Sequence, residues 1–142
     1  MDKPEGRFEG KVVMITGAGS GIGAGCASRF LSEGARVAII DREEDGLAQL
    51  TSGFPADRVY AVSGDCTDES VVTGFHQSAT EKFRAVDILI NNVGQSARER
   101  ASEFHESQED VWRFVLEVSL LATMRLSRLV VPQMRERGGR IL

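Results

Sequence analysis

The chain has 142 residues, 17 of them basic and 21 acidic, for a formal net charge of −4. With 42% hydrophobic and 27% charged residues it is too apolar for a disordered chain, and its length suggests one domain with a sizeable core. Mild acidity gives no reason to expect a nucleic-acid partner, and no apolar run approaches the roughly 18 residues of a membrane span.

The N-terminus, Met1 to Arg7, is polar and does not read as a signal peptide. Val12-Val13-Met14-Ile15 is the first apolar, β-branched run and reads as a strand. It leads into Thr16-Gly17-Ala18-Gly19-Ser20-Gly21-Ile22-Gly23. A helix follows at once, with Ile22, Cys26 and Phe30 recurring on one face and Gly34 as its stop. This context gives the glycines chemical meaning. A phosphate seeks backbone N–H donors at a helix N-terminus, where the dipole also favours it. Side chains at Gly17 and Gly21 would keep a diphosphate from the backbone, and one at Gly23 would push the helix off the sheet. The strict Gly-x-Gly-x-x-Gly spacing is not met, and no Gly-Lys-Ser/Thr follows to make a nucleoside-triphosphate loop.

Val37-Ala38-Ile39-Ile40 is the second strand, ended by Asp41. An acid at this distance from the glycines accepts hydrogen bonds from ribose hydroxyls and repels a 2′-phosphate, which favours NAD over NADP. Asp41 also suits an N-cap of the next, shorter helix, Arg42 to Leu50. Val59-Tyr60-Ala61-Val62 is the third strand, and Val72, Phe75, Ala79 and Phe83 stripe the helix after it, with Thr67 as the expected N-cap. Val86-Asp87-Ile88-Leu89-Ile90 is the fourth strand. Such alternation predicts an open α/β parallel sheet with right-handed crossovers.

The last element is long. Ser107-Gln108-Glu109-Asp110 has a capping-box pattern, and apolar residues continue from Val111 to Met134, with a kink or an early end expected at Pro132. Arg125, Arg128, Arg135 and Arg137 read as a solvated face that offsets the helix dipole rather than as a partner's patch. Arg140-Ile141-Leu142 opens a fifth strand. Cys26 and Cys66 show no metal spacing and His76 and His105 lie far apart, so no metal site is expected and a reducing cytoplasm is the expected compartment.

Four motifs in this order resemble the short-chain dehydrogenase/reductase family. They are the Thr16–Gly23 turn in the family's Thr-Gly-x-x-x-Gly-Ile-Gly form, Asp65-Cys66-Thr67 after the third strand, Asn91-Asn92-Val93-Gly94 after the fourth, and Trp112, Ser119, Pro132 and Met134 along the long helix. The resemblance implies a Rossmann-like doubly wound sheet in one NAD(P)-binding domain over residues 1–142. It implies an oxidoreductase that passes a hydride between a secondary alcohol or ketone and NAD, and a homo-oligomer built on the long helix. By the same resemblance Gly17, Ser20, Gly21, Ile22 and Gly23 line the diphosphate, and Asp41 and Arg42 surround the adenosine ribose. Asp65 and Cys66 meet the adenine, Cys66 through its backbone, and Asn92 and Gly94 lie beside the nicotinamide ribose. Asn91 holds the central sheet, and Gln95 and Ser96 border the substrate only weakly in this reading.

Two positions depart from the family. Ser119 stands where the family has an asparagine that orders a proton-relay water; a helix serine can instead bond back to the preceding turn. The family's serine and Tyr-x-x-x-Lys have no counterpart, because Tyr60 is the only tyrosine and Lys3, Lys11 and Lys82 are not at that spacing from it. The expectation is therefore a cofactor-binding half, incomplete at its C-terminal end by at least ~60 residues at about 30 per βαβ unit, with the fourth strand as a sheet edge. The alternatives are a non-catalytic NAD-binding module and a methyltransferase-like domain, the latter disfavoured by Asn91–Gly94 and the Thr16 turn.

Overall fold

The computed structural model describes residues 6–95 and 97–142. The polar stretch up to Glu5, and Ser96, therefore lie outside the described residues. The apolar runs form β1 (Val12–Thr16), β2 (Arg36–Asp41), β3 (Val59–Ser63) and β4 (Ile88–Ile90). A short β5 (Arg140–Ile141) joins them. All pairings are parallel, and the order is β3-β2-β1-β4-β5. This is a Rossmann-like doubly wound α/β sheet, as the sequence predicts. One expectation is corrected: β4 is not an edge, because β5 pairs with it at Ile88 and Leu89. The fourth strand is also shorter than its apolar run. Asp87 lies ahead of it, and its carboxylate accepts the Val12 N–H at 2.9 Å.

Both faces of the sheet are covered, which is why β1 reads as continuously apolar. Successive side chains of β1 point to opposite faces. Val13 and Ile15 join Ala27, Leu31 and Leu47 in one core, while Val12 and Met14 join Phe75, Leu89, Leu126 and Val130 in the other. The first core belongs to α1 (Gly21–Ser32) and α2 (Glu44–Ser52). The second belongs to α3 (Glu69–Phe83) and α5 (Ala122–Arg137).

The helices refine several expectations. On α1 the fully buried stripe is Gly23, Ala27 and Leu31, one residue on from Ile22, Cys26 and Phe30. Cys26 and Phe30 flank the core, and Ile22 is 79% exposed. On α3 the stripe Val72, Phe75, Ala79 and Phe83 is buried as expected. Its N-cap is Asp68, not Thr67: the Asp68 carboxylate accepts the N–H of Ser70 at 2.8 Å and of Val71 at 3.3 Å. Thr67 is instead bonded to Asp65.

The long helix is not uniform. α4 (Glu109–Leu116) passes through a π turn (Glu117–Leu121) into α5. Its N-cap is Gln108, and no capping box forms. The Ser107 hydroxyl donates to the Phe104 carbonyl and accepts from the Trp112 indole, so it is spent locally. Nor does Pro132 end the helix, which runs on to Arg137. The last turns are held from outside by Gln133. Its amide oxygen accepts the Val86 N–H at 3.3 Å and its nitrogen donates to the Arg84 carbonyl at 3.3 Å. Arg125 is not a free solvent group: it is partly buried and bonded to Glu117 and to the Thr67 carbonyl, whereas Arg128 is exposed, as expected, and pairs with Glu69 at the surface. Among the described residues no helix is long and apolar enough to cross a membrane.

Candidate functional site

In an open parallel sheet the crevice forms outside the carboxyl ends of the strands, where the winding reverses. Here β2 and β4 lie on either side of β1. A cleft of about 840 Å³ opens there, lined by Gly17, Asp41 and Arg42, by Gly64 to Thr67, by Val93 to Gln95, and by Arg113, Phe114, Glu117 and Val118.

Its floor is held by Thr16, a buried polar side chain. The Thr16 hydroxyl accepts the N–H groups of Asn92 and Val93, each at 3.1 Å. In return the Asn92 amide donates to the carbonyls of Thr16 at 3.1 Å and Gly17 at 2.9 Å. The end of β4 is thus stitched to the end of β1. Asn91 ties β4 to the layer above, donating its amide to the Ser127 hydroxyl at 3.2 Å.

The glycine turn is shaped by close approach. Gly17 has φ +69°, and a Cβ there would stand 2.9 Å from the Asn92 amide nitrogen. At Gly23 a Cβ would meet the Gly17 carbonyl oxygen at 2.1 Å, which is why the helix can sit so close to the strand. Gly21 has φ +54° and open space beside it. Ser20 is the N-cap of α1, and its side chain makes no capping bond. Among the described residues no acceptor meets the N–H groups of Gly21, Ile22 or Gly23. Three undonated N–H groups at the positive end of a helix dipole form a cradle for an anion.

Asp41 and Asp65 give the other end of the cleft its character. Each Asp41 oxygen takes one backbone donor: Gly19 N–H at 2.7 Å and Glu43 N–H at 3.0 Å. Asp41 does not cap α2, whose N-cap is Glu43. The Asp65 carboxylate accepts the backbone N–H of Thr67 at 2.9 Å and its hydroxyl at 2.7 Å. These bonds, with Arg42 nearby, hold the Asp65 carboxyl below its ordinary pKa, so it is ionised. The Arg42 guanidinium stands 4.0 Å from it, and both are open to solvent. Cys66 is buried between the two acids. Burial, then the charges of Asp65 and Asp41, push its thiol up to about 12, so it is neutral and a poor nucleophile. The Cys66 N–H meets no acceptor among the described residues and is available to a ligand.

Ser119 lies in the π turn. Its hydroxyl does not bond back into its own helix. It accepts the Gln95 N–H at 3.2 Å and donates to the Gln95 carbonyl at 3.3 Å, so it pins the segment after Gly94. Gly94 itself is exposed, and a Cβ there would only touch Ser119 at 3.6 Å. Sequence reasoning missed Arg113, Phe114, Glu117 and Val118 as cleft residues. The only available signal was their position near Ser119 on the long helix.

The matching family model is described as short chain dehydrogenase and spans residues 11–142. Among curated relatives, a meso-2,3-butanediol dehydrogenase of Serratia marcescens is 32% identical over 136 residues, covering 96% of this chain and 53% of the relative. An L-fucose dehydrogenase of Oryctolagus cuniculus is 34% identical, covering 96% and 46%. A crystal structure of 3-ketoacyl-(acyl-carrier-protein) reductase from Brucella melitensis complexed with NADH has TM-score 0.83 and 33% identity, covering 92% of this chain and 53% of that one. The chain spans about half the length of the curated relatives it matches.

Proposed function

The chain belongs to the short-chain dehydrogenase family, and on that premise we propose that it is the dinucleotide-binding domain of an NAD-dependent oxidoreductase. The observation that carries this reading is the set of undonated N–H groups at Gly21, Ile22 and Gly23, opposite an Asp41 carboxylate with acceptor capacity to spare. The diphosphate is held by the head of α1 with Gly17 and the Ser20 hydroxyl. The adenosine ribose is held by Asp41 and flanked by Arg42. The adenine is met by Asp65 and the Cys66 N–H, and the nicotinamide ribose lies by Gly94. Asn92 acts one step back, because its amide is spent on the strand ends.

Bound there, the nicotinamide supplies hydride exchange with a secondary alcohol or ketone, the substrate class that the relatives' names support. Ser119 has a positioning role toward this chemistry through Gln95. The Asp41 carboxylate at this position disfavours a 2′-phosphate, which supports NAD over NADP. The exposed apolar side chains of Trp112, Leu116, Leu120 and Met124 on the long helix support self-association into a homo-oligomer. Two free thiols, Cys26 and Cys66, accord with a reducing cytoplasm. Calorimetric titration of the chain with NAD⁺ tests the proposal. A 1:1 isotherm is expected; no heat and no displacement at millimolar NAD⁺ would overturn it.

A further inference from the structure

Two glycines on different elements meet at one peptide. The Gly19 N–H donates to Asp41 Oδ2 at 2.7 Å. On the other side of the same residue, the Gly19 carbonyl is pressed against α2 at Gly46. A Cβ at Gly46 would stand 1.8 Å from the Gly19 oxygen, 2.7 Å from its carbon and 3.1 Å from its Cα. A Cβ at Gly19 would stand 2.8 Å from the Asp41 carboxyl carbon and 3.0 Å from Glu43 Cβ. Residue 19 is thus wedged between the acid and the helix, with no room on either side. The second carboxylate oxygen is fixed by the Glu43 N–H at 3.0 Å.

From this we infer that Gly46 is a positioning residue for nucleotide discrimination: it lets α2 hold the Gly19 peptide, and so the Asp41 carboxylate, in the one orientation that presents an acceptor to each of two vicinal hydroxyls. The inference rests on the dinucleotide reading above. An ionised carboxylate has about four lone-pair sites. One per oxygen is used by the protein, which leaves one per oxygen for the two ribose hydroxyls. The bonds fix the plane of the carboxylate. Relieving a 1.8 Å contact requires residue 19 and α2 to part by about 1 Å or more, since a Cβ does not sit under 3.0 Å from a non-bonded atom. A 2.7 Å bond does not survive that displacement. The carboxylate keeps its charge but loses its aim. Affinity for a free 2′-hydroxyl therefore falls, while rejection of a 2′-phosphate is retained.

The test compares NAD⁺ and NADP⁺ dissociation constants by calorimetry for wild type, Gly46→Ala, Glu43→Pro and Gly74→Ala. Glu43→Pro removes the other donor, the Glu43 N–H, at a φ of −88°, close to the roughly −80 to −50° that proline adopts. Gly74→Ala is the control, since a Cβ there meets nothing within 4 Å. Expected is a loss of NAD⁺ affinity of tenfold or more in Gly46→Ala and of at least threefold in Glu43→Pro. NADP⁺ affinity should change less than twofold, and Gly74→Ala should match wild type. In the nucleotide-free protein, the Gly19 amide proton should also shift upfield in Gly46→Ala as its bond is lost. A purely structural role would weaken both nucleotides equally, and that result overturns the inference. So does an unchanged preference in both variants. Wild type that binds neither nucleotide overturns the dinucleotide reading itself, and this inference with it.

Discussion

Gly23 and Gly25 lie two residues apart in α1 and should respond to alanine with opposite signs. A Cβ at Gly23 would stand 2.1 Å from the Gly17 oxygen and 2.8 Å from its carbon, both backbone atoms, and 2.7 Å from the Asn92 amide nitrogen. Neither neighbour can yield cheaply. The Gly17 carbonyl is the acceptor of the Asn92 amide, and Asn92 in turn spans the ends of β1 and β4. Relief means lifting α1 from the sheet, across the core that contains Ala27 and Leu31. Overpacking of this kind costs about 1–3 kcal/mol, and a disturbed hydrogen bond adds about 1 kcal/mol. The helix-propensity gain of alanine over glycine returns about 1 kcal/mol. The net expectation for Gly23→Ala is a loss of about 1–3 kcal/mol, a large share of a domain's stability. At Gly25 a Cβ meets nothing within 4 Å, so only the propensity gain applies. Gly25→Ala should be stabilised by about 0.5–1 kcal/mol. Urea unfolding followed by circular dichroism measures both. Equal stability of the two variants would refute the claim that close helix–strand approach is what Gly23 provides.

Other consequences follow from buried groups. Thr16→Val leaves the N–H groups of Asn92 and Val93 without their acceptor and should cost about 2–4 kcal/mol in the same assay, while Thr16→Ser should restore most of it. Burial lowers the pKa of His76 below its ordinary 6.5, and among the described residues its buried Nε2 meets no partner. The folded state therefore favours neutral His76, so its stability is complete above pH 6.5 and falls as the unfolded chain takes up the proton below it. The urea midpoint should drop between about pH 7 and pH 5.5, and drop less in His76→Gln; equal slopes would contradict this. A neutral, buried Cys66 should resist a thiol reagent in the native protein at about pH 8 and react on unfolding, as read by peptide mass spectrometry. Labelling of native Cys66 at the rate of a free thiol would count against its burial.

Much of this architecture was legible because its signals are local. Continuous apolar strands and the Val72–Phe75–Ala79–Phe83 stripe report burial directly. The run from Gly17 to Gly23 reports close approach. What was not legible depends on partners distant in sequence. Thr16 looks like an ordinary strand-end threonine until Asn92 and Val93 are placed beside it. Nothing local singles out Gly46 in its short helix, yet it packs on Gly19. Thr67 and Asp68 are both good caps by type, and Asp65 settles the choice by engaging Thr67. Pro132 signals an end to α5, but Gln133 anchors the turn beyond it to Arg84 and Val86. The π turn has no local marker at all; within it, Ser119 bonds to Gln95, far back in the chain.

In the proposed function, one crevice running from the head of α1 past Asp41 and Asp65 to Gly94 binds a nicotinamide dinucleotide. At 15.5 kDa the chain suits amide-resolved NMR. Titration of isotope-labelled protein with NAD⁺ should shift the amides of Gly17 to Gly23, Arg42, Cys66 and Gly94 with a common dissociation constant. It should leave the C-terminal ends of α1 and α3, at Ser32 and Phe83, unmoved. Saturating NAD⁺ that leaves the Gly21–Gly23 amides in place, or that shifts the Ser32 and Phe83 amides instead, would contradict this reading.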